Sequence, residues 1–176
     1  MMRRGLLTAI LGLAAASVPA TLTAQQAPSQ PRPQMVQRFD HQTVRSLLDA
    51  VEVEWKIDQD ASGNLTYRAS AESGATFVAI PQSCETDAGC LGLVLVAAFE
   101  GIKVANPGRL DAFVHRFNDS FPTAKVVRSG PGTVTLHAYI NAAYGTTFQN
   151  AQAQMLVFGQ DIANLSRALV ALETGG

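Results

Sequence analysis

Hydrophobic residues run without interruption through one stretch of the chain, from Leu91 to Phe99. No position in this stretch carries a polar side chain, and the stretch is too short to cross a bilayer as a helix. Its valines and its phenylalanine favour extended structure. The pattern therefore predicts a strand in the middle of a sheet, with both of its faces covered.

Shorter segments before this run alternate apolar and polar residues with the period of a strand. They cover residues 52–57, 65–70 and 76–81, and polar turns separate them. Four strands joined in this way predict an antiparallel meander. Trp55 falls on the apolar side of the first segment, where it either packs in the core or offers a platform to a ligand.

A helical period marks three other segments. The first begins the domain after Asp40, a side chain suited to cap a helix N-terminus. The second starts at Asn106 and Pro107, which combine a capping residue with proline at the first helical position, and it ends at Pro122. These signals predict two short amphipathic helices on either side of the four strands.

The third helical segment is the longest and closes the chain. Thr146 and Gln149 have the spacing of a capping box, and Gly175 follows the last turn. We expect its apolar stripe to pack on the sheet, although such a seam also suits pairing with a second copy of the chain and thus a homodimer. The stripe consists of Phe148, Ala151, Met155, Phe158, Ile162, Leu165, Leu169 and Leu172.

Between the second and third helices, residues 125–129 and 133–140 flank a Gly-Pro-Gly turn, which predicts a hairpin. One side of its second strand is aliphatic. The other side carries hydroxyl, imidazole and phenol groups, and it is either a polar contact surface or an ordinary exposed sheet face. The candidate contact residues are Thr133, Thr135, His137 and Tyr139.

The N-terminus has the pattern of a secretory signal peptide. Two arginines precede a short apolar segment, and small residues offer cleavage after Ala20 or after Ala24. An uncleaved membrane anchor is the alternative, but Pro19 interrupts the apolar run. We therefore predict a signal peptide over 1–24, an unstructured linker rich in Pro and Gln over 25–38 and one domain over 39–176, located in the periplasm or secreted.

Charge and motifs exclude several classes of function. The 176 residues carry a formal net charge of −1, which becomes −3 when the signal peptide and its two arginines are removed. This balance does not attract nucleic acid or an anionic membrane surface. The three histidines are scattered, and the chain lacks a nucleophile elbow, a phosphate-binding glycine loop and an HxxxH pair. We expect no enzymatic activity and no catalytic, cofactor or metal site.

The two cysteines, Cys84 and Cys90, both lie in the predicted exported domain. An oxidising compartment favours a disulfide between them. A redox-active pair usually has two intervening residues, and a zinc site needs further ligands close by, so both alternatives fit the sequence less well. The expected bond closes a short polar loop and fixes the strands on either side.

Several of these features together resemble the YbjN-domain family, in particular its exported members. The resemblance covers about residues 43–169. It rests on the disulfide loop, on a hydrophobic strand that ends Ala98-Phe99-Glu100-Gly101, and on a helix with Phe117-Asn118, followed by an aromatic residue and a small-basic-hydrophobic strand at residues 121–126. Phe117 stands where the family usually has Trp, and residues 122–125 also depart from the usual segment.

The resemblance implies an α+β fold similar to type III secretion chaperones, with an antiparallel sheet, helices packed on it and a long C-terminal helix. Such folds bind other proteins and often dimerise, and the family has been described as a regulator of sensory transduction. It therefore implies a protein-binding, chaperone-like or regulatory module. The alternative is a carrier of small ligands or lipids in the cell envelope, with its pocket between the long helix and the sheet.

Overall fold

The computed structural model describes residues 33–59, 63–72, 74–85 and 88–175. They form an α+β fold with antiparallel sheets and a long C-terminal helix, which confirms the predicted class. The helices are α1 His41–Ala50, α2 Pro107–Ser120 and α3 Phe148–Thr174. The strands are β1 Met35–Val36, β2 Glu54–Gln59, β3 Leu65–Ser70, β4 Thr76–Glu85, β5 Gly89–Phe99, β6 Lys125–Gly130, β7 Thr133–Asn141 and β8 Thr146–Thr147.

The main sheet has six strands in the order β2-β3-β4-β5-β7-β6, and every neighbouring pair is antiparallel. The predicted meander β2 to β5 is confirmed. The predicted β6–β7 hairpin is also present, and its second strand lies against β5. The uninterrupted apolar run thus occupies an interior strand of the sheet.

The prediction that both faces of this strand are covered is wrong. Leu93 and Leu95 are fully buried, and Ala97 is nearly so, whereas Val94 and Val96 are only half-buried. The reason is that the buried side chains of all three helices join one core on the Leu93 side. On the other face the described residues place no helix, so the valines there are covered only by their neighbours within the sheet.

Local signals fixed the first residue of both short helices. Asp40 accepts a hydrogen bond from the Thr43 amide at 2.7 Å and so caps α1, and Asn106 caps α2 by accepting from the Gly108 amide at 2.9 Å. Trp55 lies half-buried against the core, and its indole donates to Asp49 on α1. Of its two predicted roles, packing is the one that these contacts support.

α3 differs from its prediction at its first residue. Thr147, not Thr146, caps the helix by accepting a hydrogen bond from the Asn150 amide at 3.1 Å. Thr146 is instead buried in the short β8 strand, where its hydroxyl accepts from the Asn150 carboxamide. The predicted apolar stripe packs on the sheet, with Phe148 half-buried and the other members buried, so this seam is not available to a second copy.

By length and composition alone, α3 is also the helix of the described residues that meets the criteria for a membrane span. Core helices of soluble proteins often pass the same test. Since its apolar stripe is buried in the core of this domain, packing on the sheet accounts for its hydrophobicity.

The folded body begins before residue 39, the predicted first residue of the domain. Met35 and Val36 pair with Thr147 and Thr146, and Val36 is buried. Phe39 then forms two backbone hydrogen bonds with Cys90. The linker prediction is therefore wrong for its last residues, while the predicted signal peptide and the first part of the linker lie outside the described residues.

The disulfide between Cys84 and Cys90 is present, as predicted. β4 and β5 extend further toward each other than the sequence indicated, and the two cysteines stand directly opposite one another in the register of this hairpin. A bond at this position fits an oxidising compartment. It closes the end of the hairpin against which the N-terminal segment packs.

Candidate functional site

The predicted contact residues all lie on β7, on the face of the sheet turned away from the helices. Thr133, Thr135 and His137 are half-buried, and Tyr139 is 50% exposed. The His137 Nε2 atom lies 2.8 Å from the Thr135 hydroxyl. Alternate residues of a strand share a face, and this placement follows the sequence pattern directly.

The structure adds an aliphatic centre, of which the sequence analysis had placed only the two β5 residues, in a strand covered on both faces. Val78 and Ile80 of β4 stand opposite Val96 and Val94 of β5, and all four are half-buried. We call these four residues the aliphatic patch, and we call the whole helix-free side of the sheet the open face. Half-buried β-branched side chains on a sheet with no covering layer form a flat surface suited to another protein.

Basic residues flank this patch in one row across the sheet. Cross-strand partners in register share a face, and one such row runs through all six strands. In order it contains Lys56, Arg68, Val78, Val96, His137 and Lys125. The open face therefore has an apolar middle with cationic groups on both sides.

Carboxylates oppose part of this charge. Glu54 and Asp58 lie on the same side of β2 as Lys56, and Asp58 forms an exposed ion pair with Arg68 at 3.0 Å. The open face therefore carries three cationic side chains and two carboxylates. The open face is weakly positive, in contrast to the net negative charge of the chain without its first residues.

Tyr139 has a fixed position at one side of the patch because Gly92 leaves room for it. A Cβ atom at Gly92 would overlap the phenol ring of Tyr139. Gly92 lies beside Val94 on β5, directly opposite Asn141. The glycine thus seats an exposed aromatic ring against the backbone, where the ring is available for contact.

The outer edge of the sheet is closed by α2. The Asn118 carboxamide donates to the Val126 carbonyl at 2.9 Å and accepts from the Val126 amide at 2.7 Å. One side chain thus replaces the two hydrogen bonds that a further strand would make with this residue of β6. Phe117, beside it, is buried and stacks on Phe121 with ring centroids 4.3 Å apart, a packing role that needs no indole N–H.

A second concave region lies beside the disulfide. It is a cleft of about 600 Å³, and its lining includes Asp40, His41, Tyr67 and the Cys84–Cys90 disulfide. The exposed His41 places its Nδ1 atom 2.9 Å from the Tyr67 hydroxyl, a contact that the sequence did not indicate. The two side chains come from α1 and β3.

Electrostatics in this cleft do not activate a nucleophile. Burial, and then the nearby Asp40 carboxylate, raise the pKa of the Tyr67 phenol. Hydrogen bonds from Thr43 lower the pKa of the Asp40 carboxyl, as expected of a helix-capping carboxylate. The phenol therefore stays protonated at neutral pH and can donate a hydrogen bond, and the two sulfurs are in the disulfide.

Within residues 33–59, 63–72, 74–85 and 88–175 there is no group of three or more His, Cys, Asp or Glu side chains that could hold a metal ion. A comparison of the sequence with protein-family models found no matching family. A search of curated proteins found no significant match. The open face and the disulfide cleft are two surfaces from which a function can be argued.

Proposed function

We propose that this chain is a non-catalytic, protein-binding domain of the periplasm, similar to exported YbjN-domain proteins, that acts as a chaperone-like or regulatory module. The observation that carries the proposal is the open face, where an aliphatic patch lies uncovered beside the hydroxyl, imidazole and phenol groups of β7. The disulfide and the predicted signal peptide support the compartment.

The chemistry of the open face specifies its partner. A complementary protein surface presents an aliphatic strip to Val78 and Val96, with carboxylates placed to meet Lys56 and Lys125. Completing the burial of a half-covered aliphatic side chain contributes about 1 kcal/mol, so the patch supplies roughly 4 kcal/mol toward binding. The exposed cations mainly steer association and choose the partner, because their pairs are screened by salt.

The experiment is site-specific photo-crosslinking in cells that express the full chain. A benzophenone amino acid replaces Tyr139 on the open face, and a matched variant replaces Tyr144, which is fully exposed elsewhere. We expect a discrete crosslinked protein from position 139 and none from position 144. The yield from position 139 falls when Val78→Thr and Val96→Thr are introduced together, whereas Val170→Thr on the exposed side of α3 has no effect.

Equal crosslinking from positions 139 and 144 contradicts the proposal. So does a crosslinking yield from position 139 that the two valine substitutions leave unchanged. Recovery of the chain in the cytosol with its first residues uncut contradicts the proposed compartment. Thermal denaturation of the purified double variant controls for folding, since Val→Thr keeps side-chain shape and the strand preference of the backbone.

A carrier of small ligands or lipids is the second candidate, and the disulfide cleft favours it. This cleft has no α3 residue in its lining, so it is not the pocket between the long helix and the sheet that the sequence analysis expected. Its volume of about 600 Å³ lies within the range of small-molecule sites, and the Tyr67 hydroxyl and Asn64 give it polar groups. Native mass spectrometry of the gently purified protein separates the two candidates. A carrier retains a bound mass that is lost in Tyr67→Phe, whereas the protein-binding domain shows the mass of the polypeptide alone.

A further inference from the structure

One segment of β7 has a free edge. β6 begins at Lys125, which stands opposite His137, but β7 continues to Asn141. Beyond His137 the edge strand is therefore missing, and no described residue pairs with β7 on that side. This gap lies at the opposite end of β6 from the hairpin turn and is separate from the part of the edge that Asn118 closes.

The direction of the free backbone groups follows from the register. The Ala142 amide donates to the Leu91 carbonyl at 2.8 Å, so Ala142 bonds toward β5. Successive residues of an antiparallel strand bond alternately to one side and the other. Ile140 therefore bonds toward β5, and the N–H and C=O groups of Tyr139 and Asn141 point outward into the gap.

A groove lies directly beside this edge. It has a volume of about 360 Å³ and a largely apolar lining. Its lining includes Ala138, Tyr139 and Ile140 of β7 and Ala153, Gln154, Val157 and Phe158 of α3. Gln154 is half-buried there, and Asn150 and Thr123 add further polar groups to the lining. Free backbone donors and acceptors thus border a cavity large enough for an aliphatic side chain.

We propose that this groove binds an extended segment of a partner polypeptide, which adds a short strand to the sheet beside Tyr139 and Asn141. Outward-pointing N–H and C=O groups on alternate residues match the backbone of a β-strand, which presents the same groups at the same spacing. A strand antiparallel to β7 continues the line of β6. It completes the hydrogen bonds that β6 leaves unmade.

The register also assigns the side chains of this peptide. Residues that stand opposite one another share a face of the sheet. The peptide residue opposite Ile140 therefore points into the groove, toward Ala153 and Val157, and a valine or leucine suits the largely apolar lining. The residues before and after it point to the open face, beside Tyr139. This inference rests on the proposed function in assigning a protein partner, but its test needs only the purified chain.

The first test is amide hydrogen exchange of the full chain, read residue by residue by NMR. The free edge predicts fast exchange at Tyr139 and Asn141 and slow exchange at Ala138 and Ile140, which bond to β5. The probe is a capped pentapeptide of alternating threonine and valine. At a peptide concentration ten times the Kd, exchange at Tyr139 and Asn141 slows about tenfold, because only the free fraction exchanges.

Matched controls make the result specific. The same peptide methylated on the nitrogens that face the sheet cannot donate to β7, and we expect it to leave both amides unprotected. Ala153→Trp fills the groove from an exposed helix position and abolishes peptide protection, whereas Ala171→Trp, exposed further along α3, leaves it unchanged.

Equally slow exchange at all four amides of the free protein would contradict the assignment of a free edge at Tyr139 and Asn141. Equal protection by the methylated peptide, or no protection at millimolar peptide, overturns the strand addition. Loss of crosslinking from position 139 while the pentapeptide still protects the edge would contradict the open-face partner and leave the groove standing, so the two proposals fail separately.

Discussion

Replacing Asn118 by alanine tests how the sheet is closed. The substitution removes both hydrogen bonds to the backbone of Val126, a residue that is 1% exposed. A hydrogen bond contributes about 1 kcal/mol net, and a buried polar group left without a partner costs about 1–3 kcal/mol. We expect the free energy of unfolding to fall by roughly 3 kcal/mol, which lowers Tm by about 10 °C in a domain of this size.

Urea denaturation followed by tryptophan fluorescence measures this change, because Trp55 is the only tryptophan in the chain. Asn164→Ala is the matched control, since the Asn164 carboxamide bonds only the exposed Arg167, and we expect it to cost less than about 0.5 kcal/mol. An Asn118→Ala cost below about 1 kcal/mol would refute the assignment of Asn118 as the group that completes the edge of β6.

Three further predictions concern other parts of the fold. Cys84→Ser opens the disulfide and lowers the free energy of unfolding by about 2 kcal/mol, measured by urea denaturation, with the fold retained by circular dichroism. Asp40→Ala costs about 1 kcal/mol at pH 7. The folded-state pKa of Asp40 is lowered from 3.8, so its contribution to the free energy of unfolding is present above that pH and is lost as pH falls through the lowered pKa. Urea denaturation curves of the variant and the parent therefore converge in acid. Gly92→Ala displaces the Tyr139 ring and costs about 1–3 kcal/mol, and Tyr139→Ala in the same chain restores most of that loss if the clash is the cause.

Local signals in the sequence determined most of the elements. The capping residues Asp40 and Asn106, the two-residue period of β3 and the apolar stripe of α3 all depend on neighbouring residues, and the structure confirms each of them. The pairing of Cys84 with Cys90 could be predicted because the chain has two cysteines, both in the predicted exported domain.

Features that depend on distant residues were not accessible. An apolar run shows that a strand is interior, but Val94 and Val96 are half-buried because all the helices pack on one side, which the run itself cannot indicate. The contacts of Asn118 with Val126 and of His41 with Tyr67 join separate elements. The free edge beside Tyr139 depends on where β6 begins relative to β7, so only the register shows it.

The strand order also decides when the sheet can be completed. β5 is the most apolar strand, yet its second neighbour is β7, which follows only after α2 and β6 have been made. As the chain emerges into the compartment where it folds, the β5 edge therefore stays unpaired until more than thirty further residues have followed (from Phe99 to Thr133). Long-range pairing of this kind slows folding and leaves an aggregation-prone strand edge exposed. The emerging chain is consequently most prone to aggregate before β7 arrives.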